Sequence, residues 1–220
     1  MRVKDYALPR KSAPVKFGSI KPKPPLAFAG QRIGLLGGSF NPPHAAHRLI
    51  SGTARRRLGL DAVWWVVTPG NPLKFHGDLA PLEKRLKLCR ELVPNPKIKI
   101  TAFEVDLVSA YTAATLAFLK MRYPTVKFVW LMGADNLATF HLWQGWQDIT
   151  RQMPIAVVDR PAWRLPSLSS KAACFMARNY VPELKAQTLA SMEPPAWTFL
   201  TGPLSKLSST EIRSKYKVTS

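Results

Sequence analysis

Two histidines that follow a pair of glycines are the residues of this sequence best suited to chemistry. Gly37-Gly38 ends an apolar run, and a backbone without β-carbons can turn tightly there and let a phosphate group approach. Asn41 is a favourable N-cap and Pro42 suits the first helical position, so a helix is predicted to begin near His44. His44 and His47 would then project from one face of its first turn. Because a helix N-terminus offers unpaired N–H groups and a positive dipole end, the pattern predicts a nucleotide-phosphate site.

Two other interpretations of the histidines are open on sequence grounds. A His-x-x-His pair is half of some zinc sites, but a closed zinc site needs about four ligands. The chain contains two cysteines and four histidines, and no second half of such a site lies nearby in sequence. Either histidine could instead be a hydrogen-bonded core residue. The order of strand, glycines, Asn-Pro and two histidines favours the phosphate interpretation, and no metal held by the protein is predicted.

Alternating strand and helix patterns are expected to position these residues. Apolar runs predict strands at Arg32–Leu36, Ala62–Val67, Ile98–Phe103, Val126–Met132, Pro154–Asp159 and Trp197–Leu200. The run Ala62–Val67, rich in β-branched and aromatic residues, is typical of a fully buried parallel strand. Helices are predicted at 44–58, in a basic segment that ends at about Val93, at Thr112–Arg122, near Lys171–Tyr180 and from Ser209 onward. The alternation predicts a single α/β domain with a doubly wound parallel sheet. The ligand of such a sheet lies at the carboxyl ends of the strands, where the strand order reverses.

The composition is that of one folded domain with a strong positive charge. A length of 220 residues suffices for one α/β domain with a sizeable core. The distant cysteines Cys89 and Cys174 indicate a reducing cytoplasm rather than a disulfide framework. No apolar run approaches the ~18 residues of a membrane helix, so no membrane partner is expected. The formal charge of +19 suits polyanionic substrates, which a positive cleft attracts.

Residues 1–30 differ in composition from the rest of the chain. They hold seven basic side chains against the single acidic residue Asp5, with five prolines scattered among them. Such a stretch cannot bury a core, so a flexible or polyproline-like arm is predicted before a folded domain over 31–220. A solvated extension without a role is the preferred interpretation. Weak electrostatic contact with nucleic acid or an acidic partner is the alternative.

Two motifs at opposite ends of the predicted domain carry a family resemblance. Residues 37–47, Gly-Gly-Ser-Phe-Asn-Pro-Pro-His-Ala-Ala-His, resemble the first signature of the nucleotidylyltransferase superfamily. Residues 207–213, Leu-Ser-Ser-Thr-Glu-Ile-Arg, resemble its second signature. Three segments between them, at 68–74, at 110–116 and at 132–136 with the following Trp143, are similar to the bacterial nicotinate-nucleotide adenylyltransferase family.

This resemblance covers residues 31–216 and implies a fold. The implied Rossmann-like nucleotidylyltransferase fold places its first and fourth strands side by side. Gly37-Gly38 ends the first strand, and Gly133-Ala-Asp135 ends the fourth. The two motif-bearing loops are therefore expected to face each other across one crevice.

The resemblance also implies which residues bind ATP. His44, His47 and Arg213 are implied as catalytic. The implied ATP-binding set is Gly37, Gly38, Ser39, Phe40, His44, His47, Asp135, Ser208, Ser209, Thr210 and Arg213. Asp135 would hold a ribose hydroxyl, although a plain helix N-cap is an equal alternative for it. Ser208 and Glu211 could also form a capping box, which is compatible with anion binding by the same helix.

A further set of residues is implied for the acceptor nucleotide: Lys74, Tyr111, Thr112, Trp143 and Arg160. Trp143 would stack on a pyridine ring, and groups near Thr112 would receive a nicotinate carboxylate. Lys74 and Arg160 could equally be solvated surface charges. Mg²⁺ is the expected cofactor, held mainly by the phosphates of ATP.

The implied reaction transfers AMP from ATP to nicotinate mononucleotide and forms deamido-NAD and pyrophosphate. Because the acceptor phosphate is already ionised, catalysis can rest on positioning and on charge stabilisation. Nicotinamide mononucleotide and phosphopantetheine are alternative acceptors. A basic nucleic-acid-binding module is the alternative from another class, but the chain lacks zinc-finger spacing, a ribonucleoprotein aromatic motif and a basic zipper. The oligomeric state is left open, with a homodimer as one alternative.

Overall fold

The computed structural model describes residues 23–69, 79–106, 111–202 and 209. One sheet contains six parallel strands in the order β3-β2-β1-β4-β5-β6. The strands are β1 (Arg32–Gly38), β2 (Ala62–Val67), β3 (Ile98–Thr101), β4 (Lys127–Gly133), β5 (Ile155–Val158) and β6 (Trp197–Leu200). The predicted doubly wound parallel sheet is confirmed.

The side chains of β2 explain why this strand lies inside the sheet. Trp64 and Val66 pack into the apolar layer on one face, whereas Val63, Trp65 and Val67 pack into the layer on the other face. All five side chains are almost completely buried. A strand covered on both faces needs such a continuous apolar run, and each of these side chains contributes roughly 1.5–3 kcal/mol on burial.

Helices cover both faces of the sheet. One layer contains α1 (Ala45–Arg57), α2 (Leu82–Leu92) and a 3₁₀ segment at Glu183–Ser191. The other contains α3 (Thr112–Arg122), α4 (Ala134–Thr139), α5 (Trp146–Gln152) and α7 (Lys171–Phe175). The remaining segments are α6 (Arg164–Leu168) and 3₁₀ turns at Phe103–Asp106, Phe140–Leu142 and Ala177–Asn179.

Strands β1 and β4 are neighbours, as the resemblance implies. Gly34 pairs with Val129 and Leu36 pairs with Leu131. The chain runs outward from β1 through β2 to β3, and outward from β4 through β5 to β6, so the strand order reverses between β1 and β4. A crevice therefore opens at their carboxyl ends, which is where open α/β sheets bind ligands.

The start of α1 corrects one prediction. The N-cap is His44, with an extended backbone (φ −150°, ψ 171°), and the helix begins at Ala45 rather than after an Asn41 cap. The side chain of Asn41 is used elsewhere, because its Oδ1 accepts a hydrogen bond from the backbone N–H of Ala80 at 3.2 Å. Pro42 accordingly lies in the loop before the helix.

Two predicted elements are shorter than expected. Strand β3 ends at Thr101, because Phe103 turns into the core and stacks on Phe118 with the ring centroids 5.7 Å apart. The helix predicted near Lys171–Tyr180 ends at Phe175 and is followed by a 3₁₀ turn. Tyr180 leaves this turn in an extended conformation, since it pairs with Trp197 of β6.

Part of the predicted basic arm contacts the domain. The hydroxyl of Thr101 donates a hydrogen bond to the carbonyl oxygen of Lys23 at 3.3 Å. The hydroxyl of Tyr123 donates one to the carbonyl oxygen of Pro25 at 3.1 Å. Residues 1–22 lie outside the described residues, so the arm and its boundary stay predictions. Among the helices of the described ranges, none is long and apolar enough to cross a membrane.

Candidate active site

A cavity of about 360 Å³ opens at the carboxyl edge of the sheet. Predicted site residues that line it are Gly37, Gly38, Ser39, Phe40, His44, His47, Thr112, Asp135, Trp143, Arg160 and Ser209. Tyr111 is described but is not part of the wall; it caps α3 with its backbone. Lys74, Ser208, Thr210 and Arg213 lie outside the described residues. The structure thus brings together all but one of the described candidates.

The two histidines lie against each other at the start of α1. Their ring centroids are 4.0 Å apart, and the backbone N–H of His44 donates to Nδ1 of His47 at 3.2 Å. Because Nδ1 accepts this bond, the proton of a neutral His47 ring belongs on Nε2. His47 therefore offers an Nε2–H donor at the N-terminal end of a helix of 13 residues, beside that helix's unpaired N–H groups.

The surroundings of His47 keep its ring neutral. Burial, followed by the positive charges of His44 and Arg160, lowers the pKa of His47 to about 3. Contact with the backbone of His44 raises this pKa, but by less than burial and the charge of His44 lower it. A neutral imidazole at neutral pH donates a hydrogen bond to phosphate without acting as an acid.

Phe40 fixes the position of the His47 ring. Its backbone has φ 48°, in the left-handed region that a bulky residue rarely adopts. This conformation turns the side chain into the core, where its ring stacks on Trp65 at 4.8 Å and contacts the ring of His47 at 4.7 Å. The buried ring of Phe40 thus packs against the His47 ring and holds it in place.

Asp135 and Arg160, in the wall of the same cavity, form a hydrogen-bonded ion pair. Asp135 lies in the first turn of α4, whose N-cap is Gly133, so the N-cap interpretation of Asp135 is wrong. Its carboxylate folds back over Gly133, where an added Cβ would lie 2.5 Å from Oδ1. The Arg160 side chain is only 16% exposed, which corrects the solvated-charge alternative.

Comparison with known proteins places the chain in a family. A family model described as cytidylyltransferase-like matches residues 35–215. The "Probable nicotinate-nucleotide adenylyltransferase" of Agrobacterium fabrum is 52% identical over 185 residues, 84% of this chain and 99% of that protein. The protein of the same name from Methylorubrum extorquens is 54% identical over 184 residues, 84% of this chain and 100% of that protein. The chain belongs to the nicotinate-nucleotide adenylyltransferase family.

A solved structure agrees on the fold of this adenylyltransferase family. Plasmodium falciparum nicotinic acid mononucleotide adenylyltransferase complexed with NaAD superposes with a TM-score of 0.64 at 18% sequence identity. The match covers 84% of this chain and 83% of that one. The family resemblance drawn from the two motifs is confirmed.

Three acceptor residues implied by the adenylyltransferase resemblance, Thr112, Trp143 and Arg160, line the same cavity. Thr112 is the first residue of α3, and Trp143 follows the 3₁₀ turn at Phe140–Leu142. The ring of Trp143 meets that of Phe140 edge-on at 5.4 Å. Both Thr112 and Trp143 line the cavity, so an aromatic surface and a helix N-terminal residue are available there.

Ser209 is the described residue of the second family signature. Its hydroxyl donates to the carbonyl oxygen of Pro42 at 2.9 Å. This contact joins the second motif to the loop that leads into α1. The expected convergence of the two motifs is therefore present at Ser209.

Arg85 is a structural residue of the site that sequence reasoning missed. It is almost completely buried on α2, and burial lowers its pKa. Its guanidinium donates to the carbonyl oxygens of Ser39 at 2.8 Å, Thr68 at 2.7 Å, Pro69 at 3.1 Å and Ala80 at 2.8 Å. One side chain thus holds the loops that follow β1 and β2. A basic helix gives no sign of this role, because the acceptors are backbone atoms.

Other cavity residues were also missed: Thr68, Glu104, Trp130, Asn136 and Asp159. Glu104 and Asp159 are buried carboxyl groups that lie shortly beyond the carboxyl ends of β3 and β5, a position from which a polar residue reaches the ligand edge of a parallel sheet. That position is the signal by which they could have been found. Asp159 accepts a hydrogen bond from Nε of Arg164 at 2.8 Å and is paired with it.

Proposed function

We propose that this chain transfers the AMP part of ATP to nicotinate mononucleotide. An oxygen of the acceptor phosphate attacks the α-phosphorus of ATP, the bond from this phosphorus to the bridging oxygen breaks, and pyrophosphate leaves with the electron pair. The products are deamido-NAD and pyrophosphate. The acceptor phosphate is ionised at neutral pH, so the protein needs to supply position and hydrogen-bond donors rather than a strong base.

The observation that carries this proposal is the His44–His47 pair at the start of α1. A neutral His47 can donate a hydrogen bond from Nε2–H to the phosphate oxygens. This bond strengthens as negative charge builds up on those oxygens during transfer, and no proton is exchanged. The dipole of α1 adds partial positive charge at the same place. Ser209 lines the same cavity, and the second signature as a whole, with Arg213, would complete the triphosphate site.

Asp135 and Arg160 are proposed to bind a ribose of ATP and the acceptor nucleotide, respectively. Asp135 is proposed to accept a hydrogen bond from a ribose hydroxyl, while its ion pair with Arg160 fixes the carboxylate. Arg160, Thr112 and Trp143 would contact the acceptor nucleotide, with the indole stacked on the pyridine ring. The cavity wall offers an aromatic face and charged groups, as a dinucleotide product requires.

We further propose that Mg²⁺ enters with ATP as part of the substrate. Among the described residues, no group of three or more His, Cys, Asp or Glu side chains could hold a metal ion. Mg²⁺ commonly binds nucleotide phosphates and keeps several waters, so it requires few protein ligands. Both cysteines are free thiols, which suits the cytoplasm as the proposed location.

The test is a side-by-side assay of acceptors with the purified chain. Pyrophosphate release would be measured with MgATP and either nicotinate mononucleotide or nicotinamide mononucleotide. We expect a kcat/KM for the acid that exceeds that for the amide by roughly a hundredfold or more. A preference for the amide, or turnover with neither, would overturn the proposal.

A further inference from the structure

The loop that joins β5 to α6 (residues 159–164) forms part of the cavity wall. Asp159 is the first residue beyond β5, and its backbone N–H donates to the carbonyl oxygen of Leu200, the last residue of β6, at 2.9 Å. Asp159 and Arg160 both line the cavity, whereas Arg164, the first residue of α6, does not. The β5–α6 loop therefore starts at the ligand edge of the sheet and has left the cavity by Arg164.

The carboxylate of Asp159 ties the two ends of this loop together. Its side chain is only 2% exposed. Oδ1 accepts a hydrogen bond from the backbone N–H of Arg160 at 2.8 Å. Oδ2 accepts one from Nε of Arg164 at 2.8 Å, and Nη2 of Arg164 is bonded to the same oxygen. Because a buried carboxylate needs charged or hydrogen-bonding partners, loss of this tie would leave an uncompensated charge in the cavity wall.

The backbone inside the β5–α6 loop is strained. Ala162 has φ 65°, in the left-handed region that non-glycine residues rarely adopt. The backbone N–H of Trp163 donates to the carbonyl oxygen of Arg160 at 3.0 Å across this turn. Such strain persists where surrounding contacts over-determine the conformation, and it concentrates at functional sites. The ion pair of Asp159 and Arg164 encloses the strained turn and is a contact of this kind.

Arg160 is the side chain that the β5–α6 loop presents to the cavity. Its backbone N–H is bonded to Asp159, and its guanidinium is bonded to Asp135 in the first turn of α4. Helix α6 packs against α4, so Arg164 and Asp135 belong to helices that are in contact. An arginine side chain has many rotamers, and fixing it at both ends removes much of that freedom before a ligand binds.

We propose that Asp159 and Arg164 are positioning residues, which hold Arg160 in place to contact the acceptor nucleotide. This inference rests on the proposed function, in which Arg160 is a contact of that nucleotide. Arg164 does not line the cavity, so its influence on the substrate passes through Asp159 and the backbone of Arg160. If the loop were loosened, the acceptor would have to order Arg160 as it binds. This cost lowers the affinity for the acceptor more than the affinity for ATP.

The experiment compares Arg164→Ala, Arg164→Lys, Arg160→Gln and the double variant Arg164→Ala/Arg160→Gln with the parent chain. KM and kcat would be measured for nicotinate mononucleotide and for MgATP. Arg164→Ala should raise KM for the acceptor by about tenfold. KM for ATP should change by less than about threefold, since Asp135 keeps its place in the first turn of α4. Lysine keeps a cation beside Oδ2 of Asp159, so Arg164→Lys should recover part of the loss.

The double variant separates positioning from direct contact with the substrate. If Arg164 acts through Arg160, removing it should add less than about twofold to the loss in kcat/KM that Arg160→Gln causes alone. Asp159→Asn keeps an acceptor for the N–H of Arg160 but loses the charge that faces Arg164. It should also raise KM for the acceptor, and it keeps the proposal testable if the Arg164 variants fail to fold.

Arg151→Ala is the matched control, because Arg151 is a similarly exposed arginine that pairs with a carboxylate, Asp148 on α5. It should leave both KM values unchanged. A parental KM for the acceptor in Arg164→Ala and Asp159→Asn, or fully additive losses in the double variant, would overturn the positioning role and leave the proposed function standing. A parent chain that does not turn over nicotinate mononucleotide would overturn the proposed function and this inference with it.

Discussion

Nδ1 of His47 accepts a hydrogen bond from the backbone N–H of His44 at 3.2 Å. This contact makes the N-cap residue the orienting group for the second histidine. It also assigns the free proton of the His47 ring to Nε2, the atom that faces away from the backbone.

Replacement of His47 tests the importance of this donor. His47→Ala should lower kcat by about a hundredfold or more in a folded protein, because it removes a donor to the reacting phosphate. His47→Gln places an amide N–H near the position of Nε2 and should recover part of the loss. His141→Ala serves as the ring-removal control. Near-normal kcat in a folded His47→Ala variant would remove His47 from the mechanism.

Arg85 should contribute to the stability of the protein although it does not line the cavity. Arg85→Ala should lower the free energy of unfolding by on the order of 3 kcal/mol, since four carbonyl oxygens lose their shared donor. Arg85→Lys should not restore it, because an ammonium cannot span the same set of acceptors. Denaturant unfolding measures the change, and Arg90→Ala, on the exposed side of α2, is the control. Equal stability of both alanine variants would contradict this account.

The ion pair of Asp135 and Arg160 should appear in a double-mutant cycle. Asp135→Asn and Arg160→Gln should each destabilise the protein, and the double variant should lose less than their sum. A coupling of roughly 1–3 kcal/mol is expected for contacting, partly buried charges. Strictly additive losses in chemical unfolding would show that the pair contributes no energy of its own.

The two glycines at the end of β1 should respond differently to alanine. At Gly37 the new Cβ would lie 2.4 Å from Cη2 of Trp130, so Gly37→Ala should cost about 1–3 kcal/mol of stability. At Gly38 the closest atom is Cε2 of Phe40 at 3.5 Å, an ordinary contact, so Gly38→Ala should be tolerated by the fold. Trp130→Phe removes the clashing atom and should restore the stability of Gly37→Ala. Failure of this rescue would place the strain elsewhere.

The raised pKa of Glu104 predicts a pH dependence of stability. The folded state keeps the proton up to about pH 7, whereas the unfolded state releases it from about pH 4.5, so this group lowers stability as pH rises through that window. Glu104→Gln lacks the effect and should gain on the parent chain, by on the order of 1–3 kcal/mol, from pH 4.5 to 8.

Other titrating groups should cancel in that comparison. His47, with its lowered pKa, makes stability rise with pH between about 3 and 6.5, but it does so in both proteins. The remaining charged residues of the cavity wall are His44, Asp135, Asp159 and Arg160. Strand β2 carries no ionisable side chain, and those of α3 are Lys120 and Arg122 in its last turn. A constant difference between the two proteins across this pH range would contradict a protonated Glu104.

The sequence predicted the strands well because burial on both faces leaves a continuous apolar run, as in β2. The family resemblance implied the meeting of His47 and Asp135 at one edge, because its fold places the first and fourth strands side by side. The cap of α1 was wrong because Asn41 bonds Ala80, a partner 39 positions away that no local pattern reveals. Arg85 was missed for a similar reason, because its four acceptors are backbone oxygens that come together only after folding.

The contact between Ser209 and Pro42 spans 167 positions of the chain. During translation the histidine turn leaves the ribosome early, whereas its serine partner emerges after β6, the last strand of the sheet, which ends at Leu200. A polypeptide that ends just beyond β6 would contain all six strands of the described sheet but would lack Ser209, so the cavity is complete only once the last segment of the chain has been made.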